Sequence, residues 1–444
     1  MGTSRRAGAK TLRRAVRLTP AQRLYALGGL LLVALAICSC NFGDRGGPYF
    51  MASLTVAGVA YLLAVRELLA GPQFPRHVVV IGLVLAAAWQ VAFLRLPAGP
   101  DDDIHRYVWD GHLQGLGYNP YLVVPNDPAA KALHTPETRN LNNPDLPSPY
   151  PPGAQFFFRA VAAIHESTFA LKVAFVLCGW AIAFLVLDVL HSERRGAHLV
   201  LAYAWNPLLV IEVAGSGHID IVGALLVVIS VAALLRRWRA IASVALGLAV
   251  AVKFLPIVLV PLYWKRVRIR DVALAVGVVG LLYVPFLDRG HVPTGSLGTY
   301  VQSFRFNGPV FAMLYRVAPP LVLAGLAVVV GVVTAIWIRR KSAGLSSDAF
   351  AWPMAASLLF APVVFPWYLL WLVPFVTSSS TLLIVVWTVS IIPTYIMWHF
   401  RALGRAWGTL PVWVMAVEYG CVVVAAVVIG VRRRSDYSTQ PKES

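Results

Sequence analysis

The chain of 444 residues is 58% hydrophobic and only 13% charged. A soluble globular domain carries about 25% charged residues, so this composition excludes a water-soluble protein with an ordinary charged surface. The net charge of +18 comes from short Arg and Lys clusters between apolar runs. That distribution is typical of the cytoplasmic loops of membrane proteins. It also excludes nucleic-acid binding, because no basic domain is present to hold a duplex.

Apolar runs follow one another along the chain, and a full membrane crossing needs about 20 residues. The runs of spanning or nearly spanning length are 24–40, 50–66, 77–96, 170–190, 199–214, 219–235, 271–287, 319–338, 349–364, 381–399 and 411–431. Shorter runs, predicted as half-spans or hairpin arms, are 240–252, 254–264 and 366–377. The sequence therefore predicts an all-α polytopic membrane protein with about 12–14 transmembrane or half-spanning helices in a single domain over 24–431.

The basic clusters predict the orientation, because Lys and Arg concentrate on the cytoplasmic side. The clusters are Arg5–Arg23, Arg194–Arg195, Arg236–Arg239, Lys265–Arg270, Arg339–Lys341 and Arg432–Arg434. Placing them all inside makes 1–23 and 432–444 cytoplasmic segments and 97–169 an extracytoplasmic loop. It also requires 240–264 to be a hairpin that enters and leaves on one side, with Lys253 near its tip.

The outer loop has an unusual composition. Residues 97–153 hold seven of the 20 acidic residues, only three Lys or Arg, and 11 of the 30 prolines. So many prolines preclude a continuous helix, and long ordered loops are usually functional. The following stretch 154–168 predicts a short amphipathic helix whose Phe156–Phe158 face lies in the headgroup layer.

The strongest candidate for chemistry is the triplet Asp101–Asp103, which opens the stretch 101–121. Adjacent carboxylates repel one another and raise each other's pKa unless cations or water relieve them. Asp103, Arg106 and Asp110 recur at three- and four-residue spacing, which puts them on one face of a helix. Arg106 is there expected to pair with Asp103 or Asp110.

Two aromatic residues of the same helix, Tyr107 and Trp109, offer flat surfaces of the kind that stack on sugars.

A second polar group lies between two apolar runs, where His218 and Asp220 are expected to face a cavity because lipid would penalise them. Lys253 interrupts an apolar hairpin and is predicted to meet an anion such as phosphate. Snorkelling to a headgroup is the alternative for this Lys.

Further candidates come from later segments. Arg305 lies among aromatic residues in 299–311, an environment that suits a phosphate or a sugar. Arg401 and Arg405 are weaker candidates near the last outer turn. The stretch Pro366–Trp371 is predicted to be an interfacial aromatic belt, with the lining of a lipid groove as the alternative. No Walker A loop and no Rossmann fingerprint occur, so no nucleotide site is predicted.

Four motifs together resemble the GT-C superfamily of membrane glycosyltransferases, and most closely its bacterial polyprenol-phosphate-mannose-dependent mannosyltransferases. The motifs are DDDIHRYVWDGHLQGLGYNPY (101–121), YPPGAQ (150–155), GSGHID (215–220) and KFLP (253–256). The resemblance covers about 97–310, and the first motif is the most specific. Later spans match only in general character.

This resemblance implies an inverting enzyme of the bacterial inner membrane with its site on the extracytoplasmic face. The donor would be a polyprenyl-phosphate sugar, most simply mannose, and the acceptor a glycan or glycolipid. Asp103 is expected to be the catalytic base, with Asp102 second, and the departing phosphate needs cations rather than an acid. Arg106, Tyr107, Trp109, Asp110, His218, Asp220, Lys253 and Arg305 are the predicted substrate-binding residues.

No cofactor is expected to be required, and no resident metal site is predicted. The triplet Asp101–Asp103 nevertheless allows a divalent cation nearby. The Asp-x-Asp pair of related eukaryotic lipid-anchor mannosyltransferases is incomplete here, because His105 stands at its second position. Two other functions stay open on the sequence: a transporter or flippase of lipid-linked oligosaccharides, and an outer-face polymerase or ligase that uses a sugar on a lipid diphosphate.

Overall fold

A computed structural model describes residues 18–71, 73–99, 102–342, 344–405, 408 and 410–438, and side chains as far as 432. Over these residues the backbone forms helices and loops, with β-bridges only at Asp288–His291 and Phe306–Val363. The α-helices are α1 Pro20–Cys40, α2 Pro48–Ala70, α3 Arg76–Leu94, α4 Asp103–Gly115, α5 Pro152–Ile164, α6 Thr168–Ser192, α7 Val200–Ala204, α8 Asp220–Leu235, α9 Arg239–Val252, α10 Ile269–Tyr283, α11 Leu297–Ser303, α12 Pro309–Leu314, α13 Pro320–Lys341, α14 Ala351–Leu359, α15 Leu382–Ser390, α16 Ile396–Ala402 and α17 Val412–Ser438.

Helices of other types join them. A π-helix covers Leu209–Gly215, and 3-10 helices cover Phe42–Asp44, Pro128–Leu133, Ala197–Leu199, Leu255–Tyr263, Val284–Phe286, Ser347–Phe350, Pro366–Trp371, Val373–Phe375, Ser379–Thr381 and Ile392–Tyr395. In the described part of the chain, eight helices are long and apolar enough to cross a membrane, one further pair is bent, and three apolar helices are shorter. The predicted all-α polytopic fold is therefore confirmed. Most of the predicted segment 1–23, the end of 432–444 and Asp101 lie outside the described residues.

The predicted span 199–214 is not one straight helix. It consists of α7 and the π-helix, which meet at an angle of 64°. Pro207 causes the break, because it donates no backbone hydrogen bond and disfavours helical geometry at Asn206 before it. A membrane-embedded break must have its polar groups satisfied internally. The hydroxyl of Tyr61 does so for α7 by donating to the carbonyl of Ala202 at 2.7 Å.

Helices α4 and α5, from the predicted outer loop, pack against each other. Tyr107 of α4 stacks on Phe158 of α5, with ring centroids 4.5 Å apart. The predicted apolar face of the 154–168 helix is therefore divided: Phe158 is buried, whereas Phe156 stays exposed. Gly153 allows α5 to approach α9, since a Cβ atom there would lie 2.7 Å from the carbonyl oxygen of Ala251. This contact accounts for the glycine of the YPPGAQ motif.

The predicted hairpin at 240–264 corresponds to α9, a break at Lys253, and the 3-10 helix Leu255–Tyr263. Lys253 has an extended backbone, and Pro256 follows it at the start of the 3-10 helix. The break places Lys253 at the end of α9, beside the first residues of α5. The side of the membrane that each loop faces stays a prediction.

Candidate active site

One cavity of about 430 Å³ lies between the outer loop and the ends of several membrane helices. Its walls include the start of α4, the loop residues 142–151, the break at Lys253, α11 and the 3-10 helix Pro366–Trp371. The cavity gathers five of the predicted site residues, which are Asp102, Asp103, Arg106, His218 and Lys253. These residues come from three distant parts of the sequence.

Asp102 is the N-cap of α4, but its carboxylate is already occupied. Both of its oxygens accept from Arg45 Nη2, at 2.8 and 2.9 Å, and the backbone N–H of Gly99 donates to it at 2.7 Å. Arg45 is buried and its Nη1 also donates to Ser216 at 2.8 Å. A carboxylate held by a guanidinium is a weak base, so this geometry favours a structural role for Asp102.

Asp103 is the first residue of α4, and its partly buried carboxylate lines the cavity. One of its oxygens, Oδ1, accepts from the side chain of Asn142. Oδ2 has no hydrogen-bond partner among the described residues. The N-terminal end of a helix stabilises a negative charge. Asp103 therefore lies at the cavity wall with one carboxylate oxygen available to a ligand.

Arg106 does not form the predicted ion pair with Asp103 or Asp110. Its guanidinium instead donates to the backbone carbonyls of Asn142, Asn143 and Leu146, at 2.7 to 3.0 Å. Burial lowers the pKa of Arg106, and the nearby Asp110 carboxylate opposes that shift. The residue ties the proline-rich loop to α4 and thereby shapes one wall of the cavity.

Tyr107, Trp109 and Asp110 do not line the cavity, so their ligand roles stay a prediction that this cavity does not support. Trp109 is fully buried and stacks on His134, while Tyr107 stacks inside the α4–α5 contact. Asp110 is completely buried and accepts from Ser148 at 2.5 Å and from Gln155 at 2.8 Å. Burial raises the pKa of Asp110 to about 6.

Two motif residues, Asp110 and Gln155, have a structural role. Ser148 and Gln155 both donate to the Asp110 carboxylate and so fix the loop to α4. The same loop is held by His105, whose ring nitrogens lie 2.7 Å from the carbonyl of Glu137 and 3.1 Å from that of Gly99. The polar residues along α4 thus mostly hold the loop that follows the helix.

His218 lines the cavity at the turn between the π-helix and α8. Its ring stacks on Trp367, with centroids 3.9 Å apart, and its Nδ1 lies 2.9 Å from Oε2 of Glu212. Gly217 makes this turn possible, because its φ is +78° and a Cβ atom would lie 2.6 Å from Ile104. The expectation that His218 faces a cavity is met by this placement.

Asp220 does not line the cavity; it supports Lys253. Its Oδ1 accepts from Lys253 Nζ at 2.8 Å and from Trp371 Nε1 at 2.7 Å. The ammonium also lies 3.9 Å from the ring centroid of Tyr368. Lys253 is about a quarter exposed, at 23% of its side chain. It is therefore a fixed cation that faces the cavity from the break after α9.

Arg305 is not part of the cavity wall. Its guanidinium donates to the carbonyls of Val301, Gln302 and Phe304 at the end of α11. It also lies over the rings of Phe311 and Tyr315. Arg305 therefore holds the α11–α12 segment, and its contact with a phosphate or sugar stays a prediction.

Sequence reasoning missed several residues of the site. Arg45, Asn142 and Glu212 fix its charged side chains, and the hydroxyls of Tyr300 and Tyr368 meet at 2.6 Å in its wall. Glu212 was detectable, because an ionisable residue inside an apolar run is a functional candidate. Arg401, one of the weaker candidates, does line the cavity, whereas Arg405 does not.

The stretch Pro366–Trp371 is not an interfacial belt. Trp367 and Tyr368 line the cavity beside His218 and Lys253, and Trp371 is buried against Asp220. The aromatic surface that the sequence assigned to α4 is therefore supplied by this segment. Such rings can stack on a sugar or on an isoprenoid.

The described carboxylates of the acidic triplet do not suit a divalent cation. Asp102 is neutralised by Arg45, whose positive charge would repel a metal ion at the same place. Asp103 shares one oxygen with Asn142, and the ring of His105 is directed to backbone carbonyls. Among the described residues, no three His, Cys, Asp or Glu side chains converge as metal ligands.

Comparison with known proteins gives one family. A family model described as alpha-(1->6)-mannopyranosyltransferase, N-terminal domain, matches residues 42–267, which is just over half of the chain. The matched region holds Arg45, Asp103, His218 and Lys253 but not Arg305. A search of curated proteins found no significant match.

A search of solved structures found similarity to the crystal structure of ArnT from Cupriavidus metallidurans bound to undecaprenyl phosphate. The sequence identity is 15% and the TM-score is 0.41. The alignment covers 80% of this chain and 63% of that protein, so the chain spans less than two thirds of its length.

Proposed function

Because the chain belongs to the alpha-(1->6)-mannopyranosyltransferase family, we propose that it is an inverting glycosyltransferase of the bacterial inner membrane. It transfers a sugar, mannose first among the candidates, from a polyprenyl-phosphate donor to an extracytoplasmic glycan or glycolipid. The family match supports the transferase class and the sugar. The donor, the acceptor and the stereochemistry rest on the resemblance of the motifs and on the chemistry of the cavity.

The unequal environments of two adjacent carboxylates carry this proposal. Asp102 is neutralised by Arg45, while Asp103 keeps an unpartnered oxygen at the cavity surface. A base must be ionised and within reach of the hydroxyl that it deprotonates. Asp103 therefore suits the role of base better than Asp102, whose charge is already compensated by Arg45.

In the proposed reaction, Asp103 accepts the proton of the acceptor hydroxyl. The hydroxyl oxygen attacks the anomeric carbon from the face opposite the phosphate and forms the new glycosidic bond. The bond between the anomeric carbon and the phosphate oxygen breaks, and its electron pair leaves with the polyprenyl phosphate. One displacement of this kind inverts the anomeric configuration.

The leaving phosphate is an anion and is best stabilised by fixed cations and hydrogen-bond donors. Lys253 and His218 both line the cavity, and both are held by buried carboxylates, Asp220 and Glu212. Because the phosphate departs as an anion, the proposed step needs cations and not a proton donor.

The experiment that tests the proposal is a transfer assay in membranes or detergent, with a panel of polyprenyl-phosphate sugars and analysis of the products. We expect a new glycosidic product from polyprenyl-phosphate mannose. Movement of a labelled lipid-linked oligosaccharide across vesicles without any new product would instead support a transporter. Product from a sugar on a lipid diphosphate alone would support a polymerase or ligase.

A further inference from the structure

A buried acidic residue, Glu212, stands behind His218. Glu212 lies in the π-helix Leu209–Gly215 and is only 1% exposed. Short π-helices often occur at functional sites. The backbone carbonyl of Glu212 accepts from the N–H groups of Gly217 and His218, at 3.1 and 3.0 Å. The turn that carries His218 is therefore folded back onto Glu212.

The surroundings of the imidazole fix its proton at Nδ1. This nitrogen lies 3.2 Å from the backbone oxygen of Glu212 and 2.9 Å from its carboxylate oxygen Oε2. Both neighbours only accept hydrogen bonds, so Nδ1 must be the donor. The other carboxylate oxygen, Oε1, accepts from the hydroxyl of Tyr395. Glu212 is thus held in place from its far side.

The second ring nitrogen, Nε2, is available to bind a ligand in the cavity. No described residue forms a hydrogen bond with it, and His218 is part of the cavity wall. Trp367 covers one face of the ring, and the negative face of an indole favours a cation. A charged imidazole would therefore present an N–H donor from Nε2 to a ligand.

Several charged groups act on this ring. They are Glu212 on the π-helix, Asp103 on α4, Asp220 on α8 and the cation Lys253 after α9. Burial lowers the pKa of His218, but the hydrogen bond and charge of Glu212, together with the charges of Asp103 and Asp220, raise it overall. The ring is thus protonated more readily than a free imidazole.

We propose that Glu212 is a positioning residue that keeps His218 doubly protonated, so that Nε2–H binds the anionic phosphate of the donor lipid. This inference rests on the proposed function and assigns Glu212 a role within it. Lys253 and His218 then approach the phosphate as two separately supported cations. The carboxylate of Glu212 is held between His218 and the hydroxyl of Tyr395.

The test measures the binding of decaprenyl phosphate, a donor analogue without sugar, to the full-length protein in detergent. We expect Glu212→Gln to weaken this binding about 10-fold, because the neutral side chain no longer favours the imidazolium. Glu212→Asp keeps the charge and should restore most of the affinity. Binding of uncharged decaprenol should be the same for all variants, which a general loss of structure would not produce.

Glu418→Gln is the matched control. Glu418 is also fully buried and hydrogen-bonded, to Asn307 at 2.9 Å and Trp387 at 2.7 Å. It lies on α17 and does not line the cavity. The same chemical change at this second buried site should leave the affinity for decaprenyl phosphate within about twofold of the wild type.

A pH series keeps the inference testable if Glu212→Gln does not fold. The affinity of the wild type for decaprenyl phosphate should fall as the pH rises through the pKa of His218, and His218→Gln should remove that fall. Equal, pH-independent binding of decaprenyl phosphate by the wild type, His218→Gln and any folded Glu212→Gln would overturn the inference. Absence of binding to the wild type would instead overturn the proposed donor class.

Discussion

Arg45 and Asp102 form a buried ion pair that joins the first inter-helix loop to the start of α4. The guanidinium Nη2 lies 2.8 and 2.9 Å from the two carboxylate oxygens, and neither side chain is more than 7% exposed. Burial alone would lower the pKa of Arg45, but Asp102 raises it. The pair occupies both oxygens of Asp102, whereas Asp103 beside it keeps one oxygen without a partner among the described residues.

Breaking this ion pair should destabilise the protein. Arg45→Met leaves a buried carboxylate uncompensated, and Asp102→Asn leaves a buried guanidinium, each at a cost of about 3–5 kcal/mol. The double variant removes both charges and should recover part of that loss. Thermal unfolding in detergent measures the three values. Simple addition of the two single losses in the double variant would contradict the pairing.

Asp103→Asn should abolish sugar transfer while the protein stays folded and inserted. The amide cannot accept the proton of the acceptor hydroxyl, and a general base contributes roughly 10²–10⁴-fold to the rate. Initial rates of product formation provide the measurement, with protein recovery and unfolding temperature as controls. The base assignment fails if Asp103→Asn keeps the wild-type rate.

Lys253→Gln should lower kcat/KM for the donor by about 100-fold, because one preorganised cation at the leaving phosphate is lost. Lys253→Arg retains a charge beside Asp220 and should be less impaired. Arg305→Gln removes an equal charge from the same side of the protein but outside the cavity. Steady-state kinetics should therefore separate the two cations, and an equal effect of both glutamine variants would contradict the proposed phosphate site.

Asp110 should make stability depend on pH. Its pKa is raised from 3.8 to about 6 in the folded protein, so the folded state binds the proton more tightly than the unfolded chain. The free energy of unfolding should then fall as the pH rises from about 4 to about 6, by at most about 3 kcal/mol. Unfolding of the wild type and Asp110→Asn across this range measures the difference.

The Asp110→Asn variant should lack this part of the pH dependence. Asp145→Asn is a suitable control in the same loop, because Asp145 is exposed and accepts from Asn126 at 2.7 Å. It should retain the slope of the wild type. Identical slopes in all three proteins would show that Asp110 does not titrate in this range.

The motif around Asp103 shows what residue spacing can predict and what it cannot. Its spacing predicted a helix, and α4 begins at Asp103. The same spacing also predicted an ion pair of Arg106 with Asp103 or Asp110, and that prediction was wrong. Nearby residues determine which side chains share a helical face, but the segment that packs on that face can come from far along the chain. Arg106 donates to loop carbonyls 36 to 40 residues away.

The sequence by itself determined the membrane setting, the helical architecture and the family, because run length, charge clusters and motifs are properties of neighbouring residues. Only the tertiary structure decided which charges serve the cavity. Arg45 meets Asp102 across 57 residues, and Lys253 meets Asp220 across 33. Buried charges require partners, and the fold chooses those partners from segments that no local pattern connects.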